Sequence, residues 1–465
     1  MSYDVVIIGS GPAGMAAAID CDKYGLSTII LDEQPMLGGQ IYRNIEYVTS
    51  GRLKILGADY EHGITLADNL RKSQVEYRGN VSVWNVTRNG EVSFVINRGG
   101  RSGEKSQSIN GRFVVIATGA MERPFPIKGW TLPGVMGAGA GQILLKSSGL
   151  IPNLPTVLIG EGPLLYLLAY QYMKAGYKPA ALVSTTRFSD YFKAIYNMPK
   201  AMLSWRDFLK GLKLLSSIYI HGIKVYSGAT CLELNGSDFL EEVSFKHKGS
   251  YKKISASLAL LHQGVIPNTQ ITMSENLPHK WNENQICWEP ITDEWGRLPE
   301  SNLYVAGDGR GIVGAQASET QGKLAALSIA NQLKNIDDFI VKSKQLKQTL
   351  SKQKRIRPFI DRIYRPKDEF RIPKGDDVIV CRCEEVTAGQ IREYVDLGCM
   401  GPNQTKAFGR CGMGLCQGRF CSLTVTEIIA EKRNVTPTEV GHYRIRAPIK
   451  PVLLGDLANT DELTE

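Results

Sequence analysis

Residues 3–33 run as an apolar strand (Tyr3 to Ile8), the turn Gly9-Ser10-Gly11-Pro12-Ala13-Gly14, an alanine-rich helix (Met15 to Tyr24) and a second apolar strand (Thr28 to Leu31) that ends on Asp32-Glu33. This order constrains the fold more than any other feature. Gly9 permits a tight turn, Gly11 lets a pyrophosphate approach the backbone, and Gly14 lets helix and strand pack closely. Pro12 and Ala13 open the helix, whose N-terminal N–H groups and positive dipole end face the phosphates. An acid after the second strand can accept both hydroxyls of an adenosine ribose. The reading is a βαβ dinucleotide-binding unit in an α/β protein. At 465 residues the chain exceeds one hydrophobic core, so two or three domains are expected.

Three further segments bear on which dinucleotide is held. Gly38-Gly39-Gln40 follows the acids, Val114 to Ala120 reads as a strand ending on Thr118-Gly119, and Leu303 to Asp308 reads as a strand ending on Gly307-Asp308. Together they resemble the two-dinucleotide-binding-domain flavoproteins of the glutathione reductase type. That resemblance implies FAD, with Glu33 on its ribose, the Gly38-Gly39 stretch passing the adenosine end and Asp308 on the ribityl chain. Thr156 to Leu165 repeats the motif where that family places its NAD(P)H domain, but Leu165 replaces the third glycine. The 33 − 9 = 24 positions from Gly9 to Glu33 carry Gly160 to Ser184, where no carboxylate stands. A retained fold that no longer binds NAD is expected there, although Arg187 could pair with a 2′-phosphate and keep NADPH open. Residues 1–330 offer only Cys21, Cys231 and Cys287, none in a C-x2-C or C-x4-C pair, so disulfide reductase chemistry is not expected.

The other six of nine cysteines lie between 381 and 421. The chain begins with no charged leader and no apolar run reaches the length of a membrane span, so a reducing, cytoplasmic setting is expected and the cluster reads as a metal or redox centre. Cys381-Arg382-Cys383 and Cys416-Gln417-Gly418-Arg419-Phe420-Cys421 form two pairs with 32 residues between Cys383 and Cys416. Four thiolates satisfy either Zn²⁺ or a [2Fe-2S] cluster, and the one-residue gap of the first pair is unusual for structural zinc. The arrangement resembles the bacterioferritin-associated-ferredoxin type of [2Fe-2S] domain, which implies Cys381, Cys383, Cys416 and Cys421 as ligands. Cys411 could replace Cys421, but the resemblance leaves it outside the pair, and Cys399 reads as a buried helix residue. Arg382, Lys406, Arg410 and Arg419 give the loop a positive surround.

Lys and Arg exceed Asp and Glu by 55 − 46 = 9. That mild excess gathers into no nucleic-acid motif, so no nucleic-acid partner is expected. Between 334 and 376, basic residues from Lys342 to Arg357 read as a solvated helix, and Pro358, Pro366 and Pro373 as a broken linker. Phe192, Ile195, Met198, Met202, Trp205 and Leu209 read as core. No local set suggests a base oriented by a carboxylate, His262 and His279 being single, and no catalytic residue is assigned.

Gly38 to Arg43, the degenerate second motif, the 381–421 region and the closing His442 to Val452 together resemble the FAD and iron–sulfur subunits of octopine and nopaline oxidases, hydrogen cyanide synthase and D-hydroxyproline dehydrogenase. The resemblance implies electron transfer beside a D-amino-acid-oxidase-like flavoprotein subunit that oxidises an amino acid, imino acid or opine. It allows a small ferredoxin-like subunit, FMN at an interface between subunits and a nucleotide in the second domain. The expected organisation is an FAD domain at 1–150 and 263–333, a second domain at 151–262, a basic linker at 334–376, a [2Fe-2S] domain at 377–432 and a tail at 433–465. The competing reading is a self-contained NAD(P)H:acceptor oxidoreductase.

Overall fold

Val5 to Ile8 are almost wholly buried because their strand lies inside a sheet with both faces covered. The computed structural model describes residues 2–96 and 106–458, the side chains of 206 and 207 excepted; the ends of the expected first domain and tail lie outside that range. Ser2–Ile8 pairs in parallel with Thr28–Leu31 on one side and Gln107–Ile116 on the other, with Val6 opposite both Ile29 and Val114. Gln107–Ile116 is shared: its first half pairs with antiparallel Glu91–Ile96, its last residues with parallel Leu303–Val305. The chain thus returns to its first sheet after 186 intervening residues (303 − 116 − 1). Helices Pro12–Lys23 and Ala315–Lys334 pack together on one face, so closely that a Cβ at Gly322 would lie 2.1 Å from the Ala13 carbonyl oxygen.

A second, all-parallel sheet runs in the order Lys224–Ser227, Ala181–Ser184, Thr156–Glu161, Leu258–Gln263, Val135–Gly137. Its first strand precedes the boundary expected at 151: Val135–Gly137 and helix Ala138–Ser148 already belong to this layer. An antiparallel meander, Thr230–Asn235, Glu242–His247 and Ser250–Ser255, adds Leu234, Val243 and Phe245 to its core. The two layers are joined where Ala120–Glu122 pairs with Val265–Pro267.

The residues expected as core between 191 and 220 are instead largely exposed: Phe192 is 59%, Met202 62% and Trp205 57% accessible. They belong to an excursion between two strands of the second sheet. Its helix Trp205–Ile220 meets helix Pro163–Lys174 and leaves Leu209 and Leu212 outward.

Helix Phe339–Gln353 lies on Ala315–Lys334 and buries only Ser343 of its own residues, as its basic pattern implies. Beyond it, the hairpin Ile379–Cys381/Val386–Thr387 and helices Ala388–Asp396, Pro402–Gly409 and Ser422–Arg433 form a small C-terminal layer. Tyr443, Ile445 and Ile449, expected in a tail, are buried in its core, which is continuous with Met273 and Trp288 of the first domain.

Candidate functional site

The first glycine turn is built as its sequence requires. Gly9 has φ +103°, and a Cβ there would stand 2.6 Å from the Ala117 carbonyl oxygen; at Gly14 it would stand 1.9 Å from the Gly9 oxygen. Gly11 differs, since a Cβ there would meet nothing within 4 Å. Open space therefore lies before helix Pro12–Lys23, whose N-cap Gly11 offers no side-chain cap to its first-turn N–H groups. That is the donor set and clearance a pyrophosphate needs. Gly39 folds over the turn (a Cβ would lie 2.8 Å from Gly11 Cα), and a Cβ at Gly307 would lie 2.9 Å from that of Ala13. Ala117, which Gly9 abuts, leads into Thr118 and Gly119, so segments expected to bind one cofactor converge on one end of the sheet.

The two acids divide the work. Buried Asp32 accepts hydrogen bonds from the Ser10 N–H (2.5 Å), the Ser10 hydroxyl (2.7 Å) and the Gln34 N–H (2.7 Å), and so fixes the turn. Glu33 is exposed, accepts from the Ser82 hydroxyl at 3.1 Å and pairs with Lys450 from the C-terminal segment. The Gln40 carbonyl accepts from buried Lys146 at 3.1 Å, an amine that burial lowers to about 7. Asp308 Oδ1 accepts from the Val313 and Gly314 N–H groups at 2.8 and 3.0 Å and lines a cavity of about 730 Å³ between the two sheets.

One pair in that cavity escaped sequence reasoning. His262 Nδ1 lies 2.7 Å from Glu122 Oε1, and the Gly139 N–H donates to the same carboxylate at 3.0 Å. The partners are 140 residues apart, so only the pairing of Val265–Pro267 with Ala120–Glu122 brings them together. Gln263, beside them, is buried with both amide atoms unpartnered.

The second glycine turn also has an uncapped N-cap glycine, and Gly162 and Pro163 line the same cavity, but its neighbouring side chains differ from those of the first. Leu165 is fully buried in the third glycine position, and Glu161, between Gly160 and Gly162, is 1% exposed. The linker reaches back to it: Lys367 Nζ lies 3.6 Å from Glu161 and 3.1 Å from Asp190, and donates to the Thr185 carbonyl. Burial lifts the Glu161 carboxyl to about 7 although Lys367 and the Thr185 hydroxyl pull it down. Arg187, which could have met a 2′-phosphate, is paired with Glu369 at 2.6 Å.

In the C-terminal layer the Sγ atoms of Cys381, Cys411 and Cys421 lie within 4.8 Å of one another, all buried. Cys383, exposed, neighbours half-buried Cys416 on the solvent side. Hydrogen bonds from Cys411, Cys421 and the Gly412 and Glu384 N–H groups hold the Cys381 thiol far below its ordinary range. Cys421, which donates to Cys381, is raised well above it. The donor set is thus all sulfur, with backbone N–H groups aimed at one thiolate, and it fits an iron–sulfur centre. Tyr443 closes the loop from behind, since a Cβ at Gly412 would lie 2.6 Å from its ring. Arg419 Nε donates to the Cys416 carbonyl at 3.0 Å, Arg410 pairs with Glu384, Lys406 donates to the Arg444 carbonyl and Arg382 lies over Trp130. Cys399 is buried as expected, but it lies in the loop between helices Ala388–Asp396 and Pro402–Gly409 rather than in a helix, and its thiol donates to the Gly401 carbonyl.

Fold and site define an α/β oxidoreductase of the two-dinucleotide-domain flavoprotein class with an added cysteine-bearing domain. Residues 3–323 match the pyridine nucleotide-disulphide oxidoreductase family and residues 378–461 the sarcosine oxidase A3 domain. The sequence is 43% identical to the opine oxidase A subunit of Agrobacterium tumefaciens (strain Ach5), over 98% of this chain and 92% of that one. It is 31% identical to the HcnB subunit of hydrogen cyanide synthase from Pseudomonas protegens, over 99% of each. Among solved structures, L-proline dehydrogenase from P. horikoshii shares the fold at a TM-score of 0.70 and 19% identity, over 98% of this chain and 80% of that one. The chain belongs to the pyridine nucleotide-disulphide oxidoreductase family and, within it, to the group that includes HcnB and the A subunits of opine oxidases. That membership implies FAD. Among the described residues no helix is long and apolar enough to cross a membrane.

Proposed function

We propose that this chain is the FAD and [2Fe-2S] electron-transfer subunit of a heteromeric dehydrogenase or oxidase, in which a D-amino-acid-oxidase-like flavoprotein subunit oxidises an amino acid, imino acid or opine. The observation that carries the reading is a shared wall. The Asn268 N–H donates to the Gly119 carbonyl at 3.0 Å, and the Thr118 hydroxyl donates to the Asn268 carbonyl at 3.4 Å. The same segment, from Ile266 to Gln270, lines one cleft with Arg419, Ser422 and Tyr443 of the cysteine layer. One strip of chain therefore bonds to the end of the first sheet and faces the cysteine layer across a cleft.

In this reading Gly9, Gly11, Pro12, Ala13 and Gly14 hold the pyrophosphate of FAD, while Gly39 and Gln40 cover its adenosine end. Glu33 holds the ribose once Lys450 shares it, and Thr118, Gly119, Gly307 and Asp308 position the ribityl and ring portion. Cys381, Cys383, Cys416 and Cys421 hold the cluster. When bound, FAD takes electrons in pairs and a [2Fe-2S] centre passes them singly, which suits a relay from a two-electron oxidation. The domains would be a discontinuous FAD domain, a second domain without nucleotide, a helical linker and the cluster domain. Cysteines that hold a cluster rather than pair as disulfides favour a reducing, cytoplasmic setting.

The relatives named as subunits support an assembly, and the apolar face on Phe188–Ile220 supplies unburied surface for one. The test is isolation of the native complex. Copurification of a second flavoprotein chain, with dye reduction by an opine, proline derivative or D-amino acid, is expected; an isolated chain that turns over NADPH by itself would overturn the reading.

A further inference from the structure

We propose that Cys411 is a fifth thiol of the cysteine centre, placed to take the iron-ligand position of Cys421; this rests on the reading that the loop holds a [2Fe-2S] cluster. Such a cluster has four protein ligand positions, two on each iron. The structure offers five thiols and divides them unevenly. Cys383 and Cys416 stand together on the solvent side, while Cys381, Cys411 and Cys421 make a buried trio within 4.8 Å. The outer pair serves one iron, so the inner iron has three thiols for two places.

Cys381 is the fixed member, because it ends the strand Ile379–Cys381 and is held by its pairing with Val386 in the hairpin. Cys411 and Cys421 then compete for the remaining place. Their chain positions are symmetric about Cys416, since 416 − 411 and 421 − 416 both equal 5, and so give two overlapping C-x4-C pairs. Their surroundings differ. Cys421 is the N-cap of helix Ser422–Arg433, anchored by a long packed element. Cys411 lies between Arg410 (φ +56°) and Gly412 (φ +86°), in the turn after helix Pro402–Gly409 and outside any helix or strand.

A cysteine that merely filled the core would face apolar neighbours. Cys411 faces two thiols, and the Tyr443 hydroxyl, 3.2 Å from the Thr405 hydroxyl, donates to its sulfur at 3.4 Å. That bond holds the sulfur beside the centre while Cys421 is bound. If Cys421 is lost, Cys411 releases its proton to solvent as its sulfur bonds iron, with no change in oxidation state.

The test uses the full-length chain purified anaerobically as wild type and as Cys421→Ala, Cys411→Ala, Cys416→Ala and the 411/421 double variant. Iron and acid-labile sulfide per chain and the EPR g-values of the dithionite-reduced centre are measured, with far-UV circular dichroism as the folding control and Cys421→Ser as a second version of the key variant. Cys421→Ala should keep at least about half of the wild-type iron with shifted g-values, Cys411→Ala should keep it with g-values unchanged, and the double variant and Cys416→Ala should fall below about a tenth. A folded Cys421→Ala or Cys421→Ser as iron-poor as the double variant would overturn the proposal while leaving the cluster reading intact. A folded wild type without iron and sulfide after reconstitution would remove both.

Discussion

The chain carries the same glycine-turn motif twice, and the two copies have parted. In the first, Gly11 opens on empty space, and the acid inside the turn region is Asp32, which braces Ser10. In the second, Leu165 fills the space a glycine would leave, Glu161 is a buried carboxylate that accepts from the Thr185 hydroxyl, and Lys367 reaches 3.6 Å from it to partner it. A strand–turn–helix backbone is therefore no evidence of a nucleotide by itself. What differs is the side-chain chemistry beside the turn: Ser10 braced by Asp32 in one copy, Glu161 paired with Lys367 in the other, while neither helix has a side-chain cap.

The largest expected effect breaks the first copy. Gly11→Val puts a branched side chain into the open space, and FAD affinity should fall roughly 100-fold or more, about 2.8 kcal/mol, with the fold kept; fluorescence titration of the apoprotein reads it. Leu165→Ala should cost about 2–5 kcal/mol in chemical denaturation through the cavity it leaves, and should gain no NADPH binding. Lys367→Ala should cost about 2 kcal/mol, below the roughly 3–5 of a fully buried pair because Lys367 keeps some solvent contact.

A pH series sharpens the contrast further. Burial lifts the Glu161 carboxyl from 4.5 to about 7, so folding favours its protonated form. Its contribution is fullest below about 4.5 and declines as pH rises through about 7. Relative to Glu161→Gln, wild type should lose roughly 1–3 kcal/mol between about pH 5 and pH 8. The smallest effect belongs to the exposed Glu33–Lys450 pair, where Lys450→Ala should cost no more than about 1 kcal/mol of stability.

The first sheet, its glycine turn and the return strand at 303–305 were legible because each is written in contiguous residues with strong periodicity. The loss of the third glycine at Leu165 and the missing acid at Ser184 were legible in the second motif. The ion pair beside it was not, since Lys367 lies 367 − 161 = 206 residues from Glu161. The His262–Glu122 pair was hidden for the same reason. Periodicity misled at 191–220, because an amphipathic pattern states that one face is apolar and leaves open what covers it. In the cysteine loop the spacing of the two cysteine pairs was visible, whereas the grouping of Cys411 with Cys381 and Cys421 and the packing of Tyr443 depend on how the loop closes.

The most direct measurement is anaerobic rapid mixing of the copurified complex with NADPH and, separately, with its opine or amino-acid substrate, following flavin bleaching and the EPR signal of the reduced cluster. The expected result is that the substrate bleaches flavin and brings up the cluster signal while NADPH leaves both unchanged. Rapid bleaching by NADPH alone would contradict the division of labour between the two glycine turns.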